Sequence, residues 1–154
     1  MTTELKSQEK SAYMAEAYAE AEKAYKEGEV PVGCVIVKDG KIIARAHNTV
    51  ERDGSVLSHA EIKAIKTAEE KVGKYLDGCD MFVTVEPCAM CAGAIVGARI
   101  GRLFYGASEE KTGCCGSLYS LTEDDRFFAT VPTEGGITEK ECKKLMTSFF
   151  IDRR

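Results

Sequence analysis

Apolar residues recur along the chain with two spacings, one typical of helices and one typical of strands. Positions three and four residues apart predict four helices: about 7–27, 58–72, 88–96 and a last one that begins at Thr138. Short β-branched and apolar runs predict strands at 32–37, 41–46, 81–85 and 103–105, with a weaker one at 129–131. Because strands and helices alternate, the pattern predicts an α/β fold with helices on both faces of one sheet.

Local signals refine several of these boundaries. Asp39-Gly40 separates the first two strands and predicts a two-residue hairpin turn. Thr138 is followed three residues later by Glu141, which predicts a capping box at the start of the last helix. Two further features are predicted between the main elements: a polar loop over residues 48–58 and a short helical turn near Thr122.

Length and composition are those of a globular protein. The chain has 154 residues, 44% of them hydrophobic and 30% charged, and we find no repeat or linker, so residues 1–154 are expected to form one domain. No apolar run approaches the roughly 20 residues of a membrane span, and the N-terminus lacks the apolar core of a signal peptide. We therefore expect a cytoplasmic protein that does not associate with a membrane.

The charge balance limits the kinds of partner. A net charge of −4 argues against a general polycationic nucleic-acid binder, although it still allows a local basic patch. The residues from which such a patch could form are Arg99, Arg102, Lys111, Lys143, Lys144, Arg153 and Arg154.

The seven cysteines predict thiols or metal ligands rather than a disulfide framework. Their number is odd, and no export signal accompanies them. Only Cys88 and Cys91 have C-x-x-C spacing. For the other five, burial as small hydrophobic side chains is the simplest interpretation.

Two short strings carry the candidate chemistry, His59-Ala60-Glu61 and Pro87-Cys88-Ala89-Met90-Cys91. One imidazole and two thiolates are good zinc ligands, and cysteines at i and i+3 of a first helical turn face the same way. A helix N-terminus also favours thiolate over thiol. Three protein ligands leave a fourth tetrahedral position open, which is typical of a catalytic zinc. Water bound there would lose a proton near neutral pH.

Glu61 lies two residues after His59 and is predicted to take a proton from that water and deliver it to the substrate. Two alternatives remain open. Glu61 also lies three residues after Ser58, so it could instead complete a capping box. His47, the only other histidine, could be a fourth ligand that closes a purely structural site.

The order H-x-E followed by P-C-x-x-C is the signature of zinc nucleobase deaminases. The strings GEVPVGCVIV, AHN, SHAE, VEPCAMCAGAI and KTGCCGS resemble the bacterial tRNA-specific adenosine deaminases of the cytidine deaminase-like superfamily. The resemblance implies a three-layer fold with a mixed sheet of about five strands, one zinc ion per chain and a homodimer. It also implies conversion of the wobble adenosine in a tRNA anticodon loop to inosine, by attack of zinc-bound hydroxide with release of ammonia.

The resemblance assigns roles to individual residues. It implies that His59, Cys88 and Cys91 bind the zinc and that Glu61 is the proton shuttle. The residues that it places at the substrate are Asn48, which holds the base by its edge, the backbone at Ala60 and Glu86, and Lys111 in a segment close to the nucleic acid.

Three other functions stay open on the sequence. The same chemistry fits a free base, nucleoside or nucleotide, of the cytosine, guanine or dCMP type. A C-x-x-C at a helix N-terminus after a strand also fits a thiol redox protein, which would leave His59 and Glu61 unexplained. A non-catalytic zinc module would require four protein ligands. Phe149 and Phe150 lie on the apolar stripe of the last helix, which favours core packing or a dimer contact over base stacking.

Overall fold

A computed structural model describes residues 3–153. The helices are α1 (Ser7–Lys26), α2 (Val50–Asp53), α3 (Ala60–Val72), α4 (Ala89–Gly97) and α5 (Glu139–Asp152). The strands are β1 (Gly33–Lys38), β2 (Lys41–His47), β3 (Asp80–Val85), β4 (Arg102–Ala107) and β5 (Thr133–Glu134). A single 3₁₀ turn at Leu121–Glu123 confirms the turn predicted near Thr122. None of the helices in this part of the chain has both the length and the apolar character needed to cross a membrane.

The strands form one mixed sheet in the order β2-β1-β3-β4-β5. β1 is antiparallel to both β2 and β3, whereas β3, β4 and β5 run parallel. This arrangement confirms the predicted fold class, a mixed five-stranded α/β sheet.

Alternate side chains of the central strands supply two separate cores. Val35 and Phe82 pack with α1 and α5 on one face, and Ile36 and Met81 pack with α3 and α4 on the other. Such alternation follows from the two-residue period of a strand. Gly33 allows α1 to lie unusually close to the sheet, because a Cβ there would stand only 1.9 Å from the carbonyl oxygen of Ala17. The sheet therefore has helices on both faces, as predicted.

The first hairpin also confirms its prediction. Asp39 and Gly40 both have positive φ, +51° and +75°, as a two-residue turn of the I′ type requires. The backbone twist of this turn type matches the right-handed twist of the two strands, so two residues are enough to join β1 to β2.

The predicted loop 48–58 was wrong in part, because it contains the short helix α2. The cause lies far away in sequence, since the buried carboxylate of Glu29 accepts hydrogen bonds from the backbone N–H groups of Glu51 and Arg52. A carboxylate at a helix start satisfies N–H groups that have no partner within the helix. No local pattern in 48–58 shows this contact.

Two predictions near the C-terminus were also wrong. The last strand lies at Thr133–Glu134 rather than at 129–131, because Val131 is buried and its N–H donates to Thr122 instead of to β4. Thr138 does precede α5, but it has a left-handed backbone (φ +48°) and makes no side-chain cap. Its hydroxyl lies 3.7 Å from the Cys142 sulfur, so the predicted capping box with Glu141 does not form.

Candidate active site

The two candidate strings converge where α3 and α4 begin. His59 is the N-cap residue of α3, Cys88 is the N-cap residue of α4, and Cys91 lies in the first turn of α4. The Nδ1 atom of His59 is 3.7 Å from the Cys88 sulfur and 3.4 Å from the Cys91 sulfur. The three potential ligand atoms all lie within 4.8 Å of one another.

These distances fit a tetrahedral zinc ion. Bond lengths of about 2.3 Å to sulfur and about 2.05 Å to nitrogen, at a tetrahedral angle, separate nitrogen from sulfur by about 3.6 Å. The two observed separations, 3.4 and 3.7 Å, fall on either side of that value. One borderline nitrogen and two soft sulfurs are also a donor set that favours zinc over magnesium or calcium.

Hydrogen bonds link these three side chains to one another and shift their pKa values. Hydrogen bonds from Cys91 and His59 lower the pKa of the Cys88 thiol to about 3, although burial opposes this shift. The same hydrogen bond to Cys88, followed by burial, raises the pKa of the Cys91 thiol. Hydrogen bonding to Cys88 also raises the pKa of His59. A cation would take the place of the shared protons, because metal binding at such sites releases protons.

Glu61 lies beside the three candidate ligands and is only 4% exposed. Burial raises the pKa of its carboxyl to about 7. The alternative role for Glu61, a capping box with Ser58, was wrong. α3 begins at Ala60 rather than at Ser58, and the Ser58 N–H donates instead to the carbonyl of Ser55. The capping box between Ser58 and Glu61 therefore does not form.

His47 lies elsewhere and is not a fourth ligand. Its Nδ1 is 3.2 Å from Glu20 and its Nε2 is 3.0 Å from Glu27, so both ring nitrogens are engaged by carboxylates. Within residues 3–153, the group that could hold a metal consists of His59, Cys88 and Cys91. The other five cysteines are all buried, as expected for small hydrophobic side chains: Cys34, Cys79, Cys114, Cys115 and Cys142.

A cavity of about 1010 Å³ opens above this group. The four residues predicted to lie at the substrate all line it: Asn48, Ala60, Glu86 and Lys111. Asn48 is 6% exposed, and its side-chain oxygen is buried without a hydrogen-bond partner in the part of the chain that the structure describes. An unpaired buried acceptor is costly, so this oxygen is ready to accept a hydrogen bond from a bound molecule.

The sequence analysis missed the wall that α5 contributes. The cavity is lined by Met146, Phe149 and Phe150 of α5 and by Arg153, which directly follows the helix. Phe149 is buried, in line with the predicted packing role, but Phe150 is 49% exposed. The sequence shows apolar residues at spacings of three and four in α5, but it does not show that this apolar face borders the site.

The basic residues that could form a local patch do not gather at the cavity. Arg99 forms a salt bridge with Asp77, and Arg102 forms one with Asp80. The second salt bridge joins the first residues of β3 and β4, whereas the candidate ligand Cys88 follows the last residue of β3. The lysines at 143 and 144 are exposed but do not line the cavity, and Arg154 lies outside the described residues. Lys111 and Arg153 are the members of the set that border it.

Glu86 contributes more than the backbone that was predicted to matter. Its carboxylate accepts hydrogen bonds from the N–H groups of Glu109, Cys115 and Ser117 and from the Ser117 hydroxyl. Burial alone would raise the pKa of this carboxyl, but these hydrogen bonds hold the pKa below its usual value. Three of the four donors are backbone N–H groups, so no residue-type pattern predicted this network.

Comparison with known proteins reveals extensive similarity. A family model described as MafB19-like deaminase matches residues 8–154. A tRNA-specific adenosine deaminase of Streptococcus pyogenes is 44% identical over 144 residues, which cover 93% of this chain and 91% of that protein. A solved structure from a study of A-to-I editing by tRNA:A34 deaminases has a TM-score of 0.84 at 38% identity, covering 87% of this chain and 98% of the other. The structure of a guanine deaminase from Bacillus subtilis aligns over 63% of this chain and 63% of its own, with a TM-score of 0.60 and 38% identity.

The similarity extends well beyond the two short strings. His59, Cys88 and Cys91 lie inside the region matched by the family model, as do all five strands. The identity to the S. pyogenes protein likewise covers most of both chains. The chain therefore belongs to the MafB19-like deaminase family and is a relative of the bacterial tRNA-specific adenosine deaminases.

Proposed function

We propose that this protein is a zinc-dependent hydrolase that converts the wobble adenosine of a tRNA anticodon loop to inosine. One observation carries the proposal: a nitrogen and two sulfurs at zinc-binding distances lie beside a buried carboxylate, Glu61, at the base of a large cavity. The reaction consumes one water and releases ammonia. His59, Cys88 and Cys91 would hold one zinc ion per chain.

The ion would supply Lewis acidity that makes water a nucleophile near neutral pH. The chain's own residues would do the rest. Glu61 would accept one proton from the attacking water and deliver it to a ring nitrogen of the purine. It would then carry a second proton, from the oxygen added to the ring, to the departing amino group. The oxygen would add at C6 of adenine, and the bond from C6 to the amino nitrogen would break. Because Glu61 is buried, the proton would pass within the site rather than to bulk water.

Asn48 would orient the base. Its unpaired side-chain oxygen can accept a hydrogen bond from a donor on the edge of the purine, and its burial makes that bond worth more than one in water. Ala60 and Glu86 line the same cavity, so their backbone would confine the base from two further sides.

The size of the cavity supports a polynucleotide substrate. At about 1010 Å³ it lies at the upper end of the range for small-molecule pockets, well beyond what one free base needs. No described residue between 113 and 145 lines it, so residues 119–134 do not border the cavity. Lys111 and Arg153 are positively charged groups at its border, suited to phosphates on either side of a flipped-out nucleotide. The names of the relatives point the same way.

A free-base deaminase is the second candidate. The guanine deaminase of B. subtilis shares 38% identity over 63% of the chain, so comparable chemistry occurs in a relative that acts on a free base. The two candidates share the metal site and Glu61, and they differ only in what occupies the cavity.

A panel of substrates separates the two candidates. The purified protein should convert adenosine to inosine in a transcribed tRNA and in its isolated anticodon stem-loop. Free adenine, adenosine, guanine and cytosine at the same concentration should react at least about 10³-fold more slowly in kcat/KM, because they lack contacts beyond the base. Inosine is measured by digestion and chromatography. Turnover of guanine or cytosine without any reaction on tRNA would replace the proposed substrate by a free base.

A homodimer is the second part of the proposal. The outer side of α4 carries Ala89, Gly93 and Gly97, all exposed and small enough for close approach of another helix. Light scattering should give twice the 16.8 kDa chain mass. Gly93→Gln should give the monomer mass with unchanged circular dichroism, since nothing lies within 4 Å of a Cβ at that position. Ala19→Gln, on the exposed side of α1, is the control; a wild-type monomer would refute the dimer.

A further inference from the structure

The buried carboxylate of Glu86 holds the segment that follows β4 in place. Oε1 accepts hydrogen bonds from the Glu109 N–H (3.0 Å) and the Ser117 hydroxyl. Oε2 accepts them from the N–H groups of Cys115 (3.0 Å) and Ser117 (2.9 Å). The side chain is only 3% exposed, and no lysine, arginine or histidine within residues 3–153 forms a salt bridge with it. The negative charge is therefore balanced by N–H and O–H dipoles, as in an anion-binding nest.

The segment that supplies these donors is also a wall of the cavity. Glu109, the first donor to Glu86, lines the cavity together with Lys111 and Thr112, which lie between the first and the last donor. A second connection runs from the Cys114 N–H to the carbonyl of Pro87, 2.9 Å apart. Both Glu86 and Pro87 belong to the short stretch that leads from β3 into Cys88.

Gly113 shows how tightly the segment wraps around the carboxylate. A Cβ at this position would stand 2.4 Å from the carboxyl carbon of Glu86 and 2.5 Å from its Oε1. The Glu109 carbonyl oxygen would be 2.5 Å away on another side. Real Cβ atoms do not approach other atoms so closely, so only glycine allows the backbone to reach the carboxylate here.

We propose that the Glu86 carboxylate is a positioning residue for the reaction: it fixes the 109–117 segment, with Lys111 and Thr112, at a set distance from the metal ligands. Glu86 and Pro87, which lead from β3 into Cys88 and α4, therefore also determine the position of the substrate-facing wall. This role rests on the proposed function, because it assigns the wall to substrate binding. Glu86 itself is not proposed to touch the reacting atoms.

Glu86→Gln tests the role with almost no change in volume. An amide keeps one acceptor oxygen and replaces the other by a donor, so one pair of the four hydrogen bonds must break. Hydrogen exchange followed by NMR should therefore speed up about 10- to 100-fold at Glu109, or at Cys115 and Ser117. KM for the anticodon stem-loop should rise about tenfold while kcat changes less than about twofold, since the groups of α3 and α4 stay in place. Metal content should not change.

Glu110→Gln is the matched control. Glu110 is exposed in the same segment and does not line the cavity, so this variant makes the same change in charge without touching the network. It should leave the exchange rates and KM at the wild-type values. Unchanged exchange in Glu86→Gln, or faster exchange with KM and kcat both unchanged, would overturn the positioning role. So would an equal fall in kcat for every substrate with KM unchanged, because that result indicates damage to the metal site.

Gly113→Ala tests the same contact from the other side and covers the case in which Glu86→Gln fails to fold. It should raise KM and speed exchange at the same amides, and the double variant should be no worse than the worse single variant, because both changes break one contact. Additive effects on KM would overturn the proposal. The exchange measurements do not depend on turnover. A wild-type protein that leaves tRNA unreacted would therefore refute the proposed function while the contact itself is still tested.

Discussion

Glu61→Gln should lower the rate of inosine formation in tRNA by about 10³- to 10⁴-fold while the protein keeps its metal and its fold. Glutamine has nearly the same shape as glutamate but cannot accept a proton, and a positioned general base contributes about 10²- to 10⁴-fold. Glu61 is buried and does not form the capping box with Ser58, so its carboxylate is available for this transfer. The loss should therefore fall at the upper end of that range. Single-turnover deamination of a transcribed tRNA gives the rate, and elemental analysis gives the zinc per chain.

Glu70→Gln is the matched control for this variant. Glu70 is exposed on the same helix, and its replacement should leave both the rate and the metal content unchanged. If Glu61→Gln kept more than a tenth of the wild-type rate, Glu61 would not be the proton shuttle. Loss of the metal together with the activity would instead make Glu61 part of the metal site, against the three-ligand arrangement proposed here.

The features predicted correctly from the sequence depend on contacts between near neighbours. The Asp39-Gly40 turn is fixed by the backbone preferences of two residues, and positive φ at both follows directly from them. Cys88 and Cys91 share one helical turn, so their spacing alone brings the two sulfurs to the same side. His59 is far from the two cysteines in the sequence, but it belongs to the H-x-E part of the known deaminase signature. That signature predicts that His59 lies beside the two cysteines in the fold.

The features that were missed depend on contacts between distant segments. Helix α2 exists because Glu29, more than 20 residues earlier, accepts from Glu51 and Arg52. The Glu86 network joins one carboxylate to backbone N–H groups, which every residue except proline possesses. A pattern of residue types carries no information about which of these groups will meet.

Competition for hydrogen bonds excludes the alternative interpretation of Glu61. Ser58 and Glu61 have the spacing of a capping box, but the Ser58 N–H is already bonded to Ser55, and α3 starts two residues after Ser58. The same spacing therefore had two interpretations, and tertiary structure decided between them. Glu61 lines the cavity and does not form a capping box with Ser58, which fits the proposed role in proton transfer.

Cys91→Ser should abolish metal binding and, with it, deamination. Cys91 is completely buried in the first turn of α4, and a serine hydroxyl is a much poorer zinc ligand than a thiolate. We expect the zinc content to fall from about one per chain to below about 0.1, and inosine formation to fall by at least about 10³-fold. Because a ligand that binds only the folded state raises stability, the wild-type Tm should rise when zinc is returned after chelation. The Tm of the variant should not respond.

Cys79→Ala separates loss of the ligand from loss of a buried thiol. Cys79 is also completely buried, but it precedes β3 at the end opposite Cys88. Its replacement should cost about 1 kcal/mol of unfolding free energy and leave the zinc content and the Tm response intact. A wild-type protein that purifies without metal and whose Tm ignores zinc would instead favour thiol redox chemistry at Cys88 and Cys91. Full metal content in Cys91→Ser would show that groups other than Cys91 hold the ion.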